Sequence, residues 1–352
     1  MEAQTKTLQV RETAGLRRFS YPVRTRFLTG GSPLRLYENG KPVPAQFTPV
    51  GDGDMEMDFN VSLGPWETRE FTVREEKTVI NDAPGEPMRV LDEDGSFIVR
   101  HPAGLAWEVP KNLLGLMKSV KNGRTSYLRP ESRGLVVNYK DGAEARVGGV
   151  KTTGSITKQG SLACGLRFES TDGLRSVVEM HFPRSKAWVE VVWTIEDPQR
   201  VSGGMTADLE LNIEGPPTLV DFGAGSMVYA ALKKGQRAVL SAGEEMGRPL
   251  WSIDVDGAPY ASGKTPPVDG WAHVMDKQRA VAVAMADFLR PQRNSIDVSA
   301  DGRLIVRRSL DGSAGRTLRF WIHVVGMPVQ VGAVTSPQSM QSPLAVSWGA
   351  AK

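Results

Sequence analysis

Residues 269–306 have the sequence DGWAHVMDKQRAVAVAMADFLRPQRNSIDVSADGRLIV. Valines and a methionine alternate with alanines over residues 280–288, and this period of two predicts a β-strand. A short strand over 271–275 precedes it, and a third strand over 295–307 turns at Asp301-Gly302, a dipeptide that favours hairpins. We therefore predict one antiparallel meander that buries one face and leaves the other face for function.

The open face of this meander carries the first candidate site residues. Trp271 and His273 lie two residues apart, so their side chains share one face of the strand. Arg290 belongs to the bulky segment 288–291, which follows the second strand at the point where that strand is expected to end. Trp271, His273 and Arg290 are therefore candidates for a functional site on this face.

Composition extends the β assignment to the whole chain. The 352 residues include 37 glycines and 23 prolines, which stand between many short alternating runs. Turns use these two residue types and long helices exclude them, so we predict an all-β protein. Residues 112–119 have room for about one or two helical turns at most. Asp-Gly turn markers recur without a fixed period, which excludes a propeller or a solenoid and favours a large sandwich.

Two domains are predicted from the length and the spacing of the strands. Residues 1–79 form a small β-barrel-like domain, and residues 80–352 form a large antiparallel β-sandwich, with the polar segment 80–87 as the linker. Asn39-Gly40 is the clearest hairpin signal of the small domain. The six strands predicted there are Leu8–Arg11, Val23–Phe27, Leu34–Tyr37, Ala45–Pro49, Met55–Val61 and Arg69–Val73.

Charge and motif content exclude several kinds of partner. Lys and Arg number 43 and Asp and Glu number 40, a net charge of +3 with no basic cluster among aromatics, which argues against nucleic acid. No apolar run reaches the roughly 20 residues of a membrane span. Strong nucleotide, nucleophile and metal motifs are missing, so neither a cofactor nor a metal is expected. The alternating acids Asp52, Asp54, Glu56 and Asp58 are interpreted as the wet face of a strand.

The termini and the cysteine content say little about the compartment. Cys164 is the one cysteine of the chain, so an internal disulfide is excluded and a buried, inert thiol is expected. Residues 1–5 do not form a signal peptide. A secreted or periplasmic location, with the signal already removed, is the expectation that suits the function proposed below, and homo-oligomerisation is left open.

The hairpin over residues 174–196 is the most informative part of the predicted sandwich. Its apolar residues alternate on both strands, so if both apolar faces point to the core the polar faces must also coincide. That register places His181 and Glu190 on one sheet face with Glu179 and Trp188. An imidazole, two carboxylates and an indole can stack a sugar ring and move a proton. The alternative interpretation is a solvated outer face on which one histidine pairs with one glutamate.

Further candidates lie on other strands and loops. Trp321 and His323 share the polar face of a strand over 318–325, and the sequence does not say whether that face lies beside His181 or His273. The candidates on long loops of the kind that rim a sandwich groove are Tyr127, Arg129 and Tyr260.

Two parts of the chain resemble a known family. The Gly270-Trp271 opening, the alanine and valine strand ending in Asp287-Phe288 and the Asp-Gly-Arg-Leu turn at 301–304 resemble the central β-sandwich of the exo-rhamnogalacturonan lyase-like family. Residues 21–24 (YPVR), 36–46 (LYENGKPVPAQ) and 64–72 (GPWETREFT) are similar to the small N-terminal barrel that precedes this sandwich. The resemblance implies a RIFT-type barrel followed by a galactose mutarotase-like supersandwich. The family's larger members continue into a helical toroid, which has no counterpart in this sequence.

The resemblance makes a polysaccharide lyase the leading hypothesis. Elimination beside a uronic acid needs a cation for the carboxylate, a base for the C5 proton and an acid for the leaving oxygen. By this logic the base is His181 or His273, and the acid is Tyr260 or Tyr127. The carboxylate clamp is Arg129 or Arg290.

Two other functions stay open. A non-catalytic carbohydrate-binding or accessory protein needs only exposed indoles such as Trp188 and Trp271. A mutarotase-like or epimerase-like enzyme needs an acid and a base, for which His181 and Glu190 are the candidates. All three functions predict a polysaccharide or oligosaccharide ligand.

Overall fold

The computed structural model describes residues 5–28, 33–51, 53–76, 78, 85–172, 174–196, 205–224, 226–245, 248–264, 268–289, 294–310, 317–326 and 337–349. Within these ranges the chain is almost entirely antiparallel β-structure, with one short helix. The predicted all-β class, with a small N-terminal β-domain before a large antiparallel sandwich, is confirmed. Arg290 and most of the predicted linker at 80–87 lie outside the described residues.

The small N-terminal β-domain begins with seven strands: β1 (Lys6–Arg11), β2 (Arg18–Leu28), β3 (Leu34–Glu38), β4 (Lys41–Val43), β5 (Ala45–Gly51), β6 (Asp54–Leu63) and β7 (Thr68–Glu75). The six strands expected here are all present, and β4 is added by the Asn39-Gly40 hairpin. Both turn residues have positive φ, 50° and 75°, as a tight hairpin between right-twisted strands requires. A three-stranded sheet in the order β2-β6-β5 packs against a five-stranded sheet through a shared apolar core.

The remaining elements build the sandwich. In chain order they are β8 (Arg89–Glu93), β9 (Ser96–Arg100), β10 (Leu105–Pro110), β11 (Ser119–Asn122), β12 (Thr125–Ser126), β13 (Gly134–Asn138), β14 (Glu144–Arg146), β15 (Thr152–Gln159), β16 (Ala163–Ser170), β17 (Ser176–Pro183), β18 (Trp188–Ile195), β19 (Met205–Asn212), β20 (Leu219–Ala224), β21 (Ser226–Ala231), β22 (Arg237–Glu245), β23 (Arg248–Val255), β24 (Ala258–Gly263), β25 (Val268–Met275), β26 (Arg279–Met285), β27 (Asn294–Ser299), β28 (Arg303–Leu310), β29 (Thr317–Gly326), α1 (Pro337–Gln341) and β30 (Ala345–Trp348).

Two large sheets and one smaller sheet share the main hydrophobic core. The eight-stranded sheet has the order β14-β13-β19-β28-β27-β22-β23-β24. The nine-stranded sheet has the order β15-β16-β17-β18-β29-β26-β25-β20-β21, and β12-β11-β10-β9-β8 form the smaller one. Alternate residues of each strand enter this core, as the period of two requires.

The predicted meander over 269–306 is wrong in one respect. β25 pairs with β26 in the nine-stranded sheet, whereas β27 pairs with β28 in the eight-stranded sheet, so the chain crosses the core between them. Phe288 is buried at the start of this crossing, and its carbonyl accepts a hydrogen bond from Asn294 Nδ2 at 2.6 Å. Burying Phe288 between the sheets separates two hairpins that local sequence presents as one unit.

The chain returns to the small domain at its C-terminal end. β30 pairs with β1 and completes the five-stranded sheet, in the order β30-β1-β7-β3-β4. The helix α1 packs against β25, β26 and β29. A division of the chain at residue 79 stays a prediction, and the last strand of the chain lies in the sheet of the first domain.

Helix is scarce in the described part of the chain. Residues 112–118 form turns and bends, not the brief helix that the sequence allowed, and α1 has five residues. Among the described residues, no helix is long and apolar enough to cross a membrane.

Candidate functional site

A cavity of about 720 Å³ lies where the small domain meets the nine-stranded sheet. We call it the interdomain cavity. Its walls come from β2, β5 and β6 on one side and from β15, β16, β17 and Arg319 of β29 on the other. The charged residues that line it are Arg24, Arg26, Glu56, Lys158, Arg167, Glu179 and Arg319, together with His181.

A neighbouring cavity of about 330 Å³ extends this space toward the C-terminal strand. We call it the side cavity. Arg24, His181 and Arg319 line both cavities, and Glu190 lines the side cavity only. A ligand in one cavity therefore contacts residues that also form the other.

Strand register explains why His181 and Glu190 meet here. β17 and β18 pair so that His181 lies directly opposite Glu190, and Glu190 lies opposite Trp321 of β29. The prediction that the polar faces of this hairpin coincide is confirmed. The strand over 317–326 lies beside β18, so Trp321 and His323 belong to the same sheet face.

Lys158 is the central cation of the interdomain cavity. Its ammonium lies 2.6 Å from Glu56 Oε1 and 2.6 Å from Asp58 Oδ2, and all three side chains are buried. A register shift in β15 between Ile156 and Lys158 turns this lysine inward, opposite Gly165 of β16. A Cβ at Gly165 would stand 2.5 Å from Thr157 Oγ1 and 3.0 Å from Lys158 Cγ, so the glycine makes room for both side chains.

The two acids around Lys158 have opposite pKa shifts. Burial raises the pKa of Asp58, and Lys158 only partly offsets that effect. Burial also pushes the pKa of Glu56 upward, but Lys158 and the nearby arginines outweigh it and hold the pKa below its ordinary value. The pair therefore keeps one carboxylate firmly ionised beside the ammonium.

Two arginines hold Glu190. Arg24 Nη2 lies 2.7 Å from Glu190 Oε2, and Arg319 Nε lies 3.2 Å from Glu190 Oε1. Arg24 comes from the small domain and Arg319 from the sandwich, so this carboxylate ties the two parts together. Both guanidinium groups retain further N–H donors that a ligand in the cavity can use.

His181 is a buried, neutral imidazole. Burial lowers its pKa well below the ordinary value, and the cations Lys158 and Arg24 lower it further. Its Nε2 lies 3.5 Å from Asp58 Oδ1, while its Nδ1 is buried without a hydrogen-bond partner in the described part of the chain. A neutral imidazole with one unpartnered nitrogen is able to accept or donate a proton.

Sequence reasoning missed half of this site. Glu56 and Asp58 were interpreted as a solvated face, but that face of β6 is covered by β15 and carries the ion pairs with Lys158. Arg24 and Arg26 were not singled out either. Their alternation on β2 with Tyr21, Val23 and Phe27 was the available signal, yet no local pattern shows that a polar strand face meets a second domain.

The predicted sugar-stacking tryptophans are in the interface core. Trp188 and Trp271 are 3% and 5% exposed, and they pack with Trp321 and residues of the small domain. Trp188 meets the Tyr21 ring edge-on at 5.8 Å. The outer face of the nine-stranded sheet is covered by the small domain and α1. Trp188 and Trp321 line the side cavity, whereas Trp271 lines neither cavity.

His273 also lies away from the two cavities. Burial lowers its pKa to about 4, and in the register of β25 and β20 it lies opposite Asp221, whose pKa burial raises to about 6. It lines neither the interdomain cavity nor the side cavity. His181 is therefore the predicted base that the structure brings to the charged site.

The remaining predicted site residues are dispersed. Tyr260 is exposed on β24, the edge strand of the opposite sheet. Tyr127 is buried beside Gly326, and Arg129 donates to the carbonyl of Asp301 at 3.0 Å. None of these three lines either cavity, and Arg290 lies outside the described residues. The pairing of distant strands determines where these three side chains lie, and their position on predicted loops does not reveal that pairing.

Metal ligation finds no support among the residues that the structure describes. No group of three or more His, Cys, Asp or Glu side chains there is placed to hold a metal ion. Glu56, Asp58 and Glu190 are each engaged by lysine or arginine instead.

Fold and site together define a two-part antiparallel β-protein with a charged cleft between a small β-domain and a large sandwich. No family model matches the chain, and no curated protein matches it. Several solved structures are similar to this chain in fold. A protein in glycosyl hydrolase family 38 from Enterococcus faecalis superposes with a TM-score of 0.63 at 9% identity, over 99% of this chain and 48% of that one.

Two other solved structures extend the comparison. An alpha-mannosidase from Enterococcus faecalis V583 gives a TM-score of 0.58 at 9% identity, over 99% of this chain and 46% of that one. A galactose mutarotase-like protein from Lactobacillus casei ATCC 334 gives 0.35 at 10% identity, over 68% of this chain and 100% of that one. This chain thus has the fold of about half of each of the two longer Enterococcus faecalis proteins.

Proposed function

We propose that this protein is carbohydrate-active and binds an acidic sugar in the interdomain cavity. The observation that carries the proposal is the wall of that cavity, on which five cationic side chains face two carboxylates. Guanidinium groups bind carboxylates and sugar hydroxyls through several N–H donors at once. The cavity volume is in the range of small-molecule sites.

Three of the five cations are accessible to a ligand. The side chains of Arg26, Arg167 and Arg319 are 59%, 36% and 43% exposed, whereas Lys158 is buried between its two acids. Arg26 and Arg319 each pair with one carboxylate, and Arg167 pairs with two, those of Glu169 and Glu179. Each guanidinium still keeps some of its five N–H donors unused. These donors are the groups we expect to hold a uronate carboxylate.

Similarity to other proteins supports a carbohydrate ligand. The two longer structures that this chain matches over nearly its whole length are named as a family 38 glycosyl hydrolase and an alpha-mannosidase. A sequence identity of 9% supports a shared fold only, so the carbohydrate ligand of this chain is part of the proposal. A secreted or periplasmic location, where polysaccharides are found, goes with it.

β-Elimination at a uronate is the finer proposal for the reaction. His181 suits the base because burial and two cations keep it neutral, and Arg319 or Arg167 suits the carboxylate clamp. The tyrosines predicted as acid lie elsewhere. Tyr21 lines the side cavity, but it donates its hydroxyl to the Ser339 carbonyl at 2.8 Å, and burial raises its pKa. The proposal therefore has candidates for the base and for the carboxylate clamp, and it names no acid.

Proton exchange on a sugar ring is the second candidate, and one observation favours it. His181 and Glu190 are direct cross-strand neighbours, and both line the side cavity. An imidazole and a carboxylate side by side on the wall of the cavity can act as acid and base on a bound aldose and open and close its ring. This reaction needs no carboxylate on the sugar.

A panel of polysaccharides tests the proposal. Purified protein is incubated with pectic, algal and glycosaminoglycan polymers and with neutral dextran as the control. Retention on acidic polymers in affinity electrophoresis, with none on dextran, is the expected result. Equal retention on dextran, or retention on no acidic polymer, would overturn acidic-sugar binding.

Three readouts in the same panel separate the reactions. Ultraviolet absorbance of an unsaturated uronate marks elimination, new reducing ends without that absorbance mark hydrolysis, and polarimetry of aldoses marks mutarotation. His181→Asn should abolish whichever turnover is seen and leave binding in place. Binding without any turnover would make this an accessory carbohydrate-binding protein.

A further inference from the structure

A third cavity, of about 270 Å³, lies apart from the proposed sugar site. We call it the basic pocket. Its wall includes His101, Tyr127, Arg184, Ser185, Lys186 and His323, and it shares no residue with the interdomain cavity or the side cavity. The turn between β17 and β18 supplies Arg184, Ser185 and Lys186, and β29 supplies His323.

The electrostatics of this pocket differ from those of the interdomain cavity. Among the described residues that line it, Arg184 and Lys186 are cations and none is an aspartate or a glutamate. The Lys186 ammonium donates to the Phe19 carbonyl at 2.7 Å and lies 6.0 Å from the centre of the Trp188 ring. In the part of the chain that the structure describes, no carboxylate lies within ion-pair distance of Lys186.

One polar side chain of the same wall lacks a hydrogen-bond partner in the described part of the chain. Ser185 Oγ is buried and meets no hydrogen-bond partner among the described residues. The turn that carries Ser185 is fixed in place, because His101 Nε2 hydrogen-bonds to the Arg184 carbonyl and Val324 N donates to the Ala187 carbonyl at 3.0 Å. The turn that lines this cavity thus carries an ammonium with no carboxylate partner and a hydroxyl with no hydrogen-bond partner among the described residues.

We propose that the basic pocket binds a sulfate or phosphate group. Such an oxyanion gives Lys186 a counter-charge that no described residue of the pocket supplies, and gives Ser185 Oγ an acceptor. Sulfate and phosphate both carry their oxygens in a tetrahedron around one central atom. Either anion can be a free ion or an ester on a sugar. The proposal is independent of the sugar site, because the two sites share no residue.

The protonation state of Lys186 gives the pocket a distinctive pH profile. Burial lowers the pKa of Lys186 to about 8. The other titratable groups around it keep one state between about pH 7 and 9, since burial lowers the pKa of His101 and of His323 and raises the pKa of Tyr127. Anion affinity should therefore fall about tenfold from pH 7 to 9 as Lys186 loses its proton.

Isothermal titration calorimetry with sodium sulfate and sodium phosphate, at ionic strength held constant with sodium chloride, tests the proposal. We expect saturable binding to the native chain, about a tenfold loss in Lys186→Met and a smaller loss in Ser185→Ala. Lys186→Arg should restore binding and abolish the pH profile, because arginine stays charged. Lys121→Met is the matched control, since Lys121 is exposed on β11 next to the pocket and does not line it.

The source of the anion is read in the same experiment. Tighter binding of galactose 6-sulfate or glucose 6-phosphate than of the inorganic ions identifies an ester ligand, and equal affinity identifies a free ion. Absence of saturable binding to any of the four probes would overturn the proposal. Equal affinity in the native chain and in Ser185→Ala and Lys186→Met, with all three melting at similar temperatures, would overturn it as well.

Discussion

At the scale of single residues, the buried charges decide how the two parts of the molecule meet. Lys158 belongs to the sandwich, and its partners Glu56 and Asp58 belong to the small domain. Taking such charges out of water is costly, and only the close ion pairs offset that cost. This arrangement of the two parts thus pairs Lys158 with both acids, and a docking that buried Lys158 or Asp58 without the other would leave a charge unpaired.

Replacing Lys158 should show this cost directly. Lys158→Met removes the cation and leaves Glu56 and Asp58 buried together, which we expect to lower the free energy of unfolding by about 3 to 5 kcal/mol. Urea denaturation measures the change. The matched control is the triple variant Lys158→Met, Glu56→Gln, Asp58→Asn, which should recover most of the stability because it buries no charge. A single variant as stable as the native chain would contradict this account.

His323 should make stability depend on pH. Burial lowers its pKa from 6.5 to about 3, so below pH 6.5 the unfolded chain binds a proton that the folded chain does not. Stability is therefore lost as pH falls through this window. In His323→Gln we expect the loss between about pH 6.5 and 4.5 to be smaller by about 2 kcal/mol. Urea denaturation across this range checks the difference, and parallel curves for both proteins would refute it.

The neighbours of some of these charged residues could be predicted from the sequence, and those of others could not. The period of two along β17 and β18 is enough to put His181 opposite Glu190, because the partners are linked by a short turn. The same period puts Glu56 and Asp58 on one face of β6. Nothing local says that this face meets Lys158, which lies 100 residues further along the chain than Asp58.

At the scale of elements, the C-terminal segment holds the small domain on the sandwich. β30 extends the sheet of β1, and α1 lies on the face of the nine-stranded sheet. Arg18 of β2 donates to the Ser339 carbonyl at 2.8 Å and to the Ser342 carbonyl at 2.6 Å. A segment of about a dozen residues thus contacts both parts of the molecule.

Met340 is the apolar anchor of that segment. It is fully buried in the interface core, so Met340→Ala should lower the free energy of unfolding by about 2 to 4 kcal/mol through lost burial and a residual cavity. Leu114→Ala is the control, because Leu114 is 47% exposed and its truncation should cost less than about 0.5 kcal/mol. Equal urea midpoints for the two variants would show that α1 contributes little to the interface.

Elements joined by short turns were predictable, and elements joined by long connections were not. The six strands of the small domain and the Asn39-Gly40 turn follow from alternation and turn chemistry. The crossing between β26 and β27 does not, since two hairpins in different sheets have the same local pattern as one meander. The pairing of β30 with β1 spans nearly the whole chain and leaves no local signal.

At the scale of the whole molecule, the interdomain cavity is formed by both domains together. Arg24, Glu56 and Asp58 come from the small domain, whereas Lys158, His181 and Arg319 come from the sandwich. The proposed sugar site exists only when the two parts are docked. Variants that loosen the interface should therefore weaken sugar binding along with stability.

Calorimetric titration of the acidic oligosaccharide retained most strongly in the polysaccharide panel tests the central claim most directly. Arg319→Gln and Arg303→Gln are a matched pair, because each arginine is about half exposed and pairs with a buried glutamate that keeps a second arginine. Only Arg319 lines the interdomain cavity. We predict about tenfold weaker binding in Arg319→Gln and native affinity in Arg303→Gln. Equal affinity in both variants would contradict the assignment of this cavity as the sugar site.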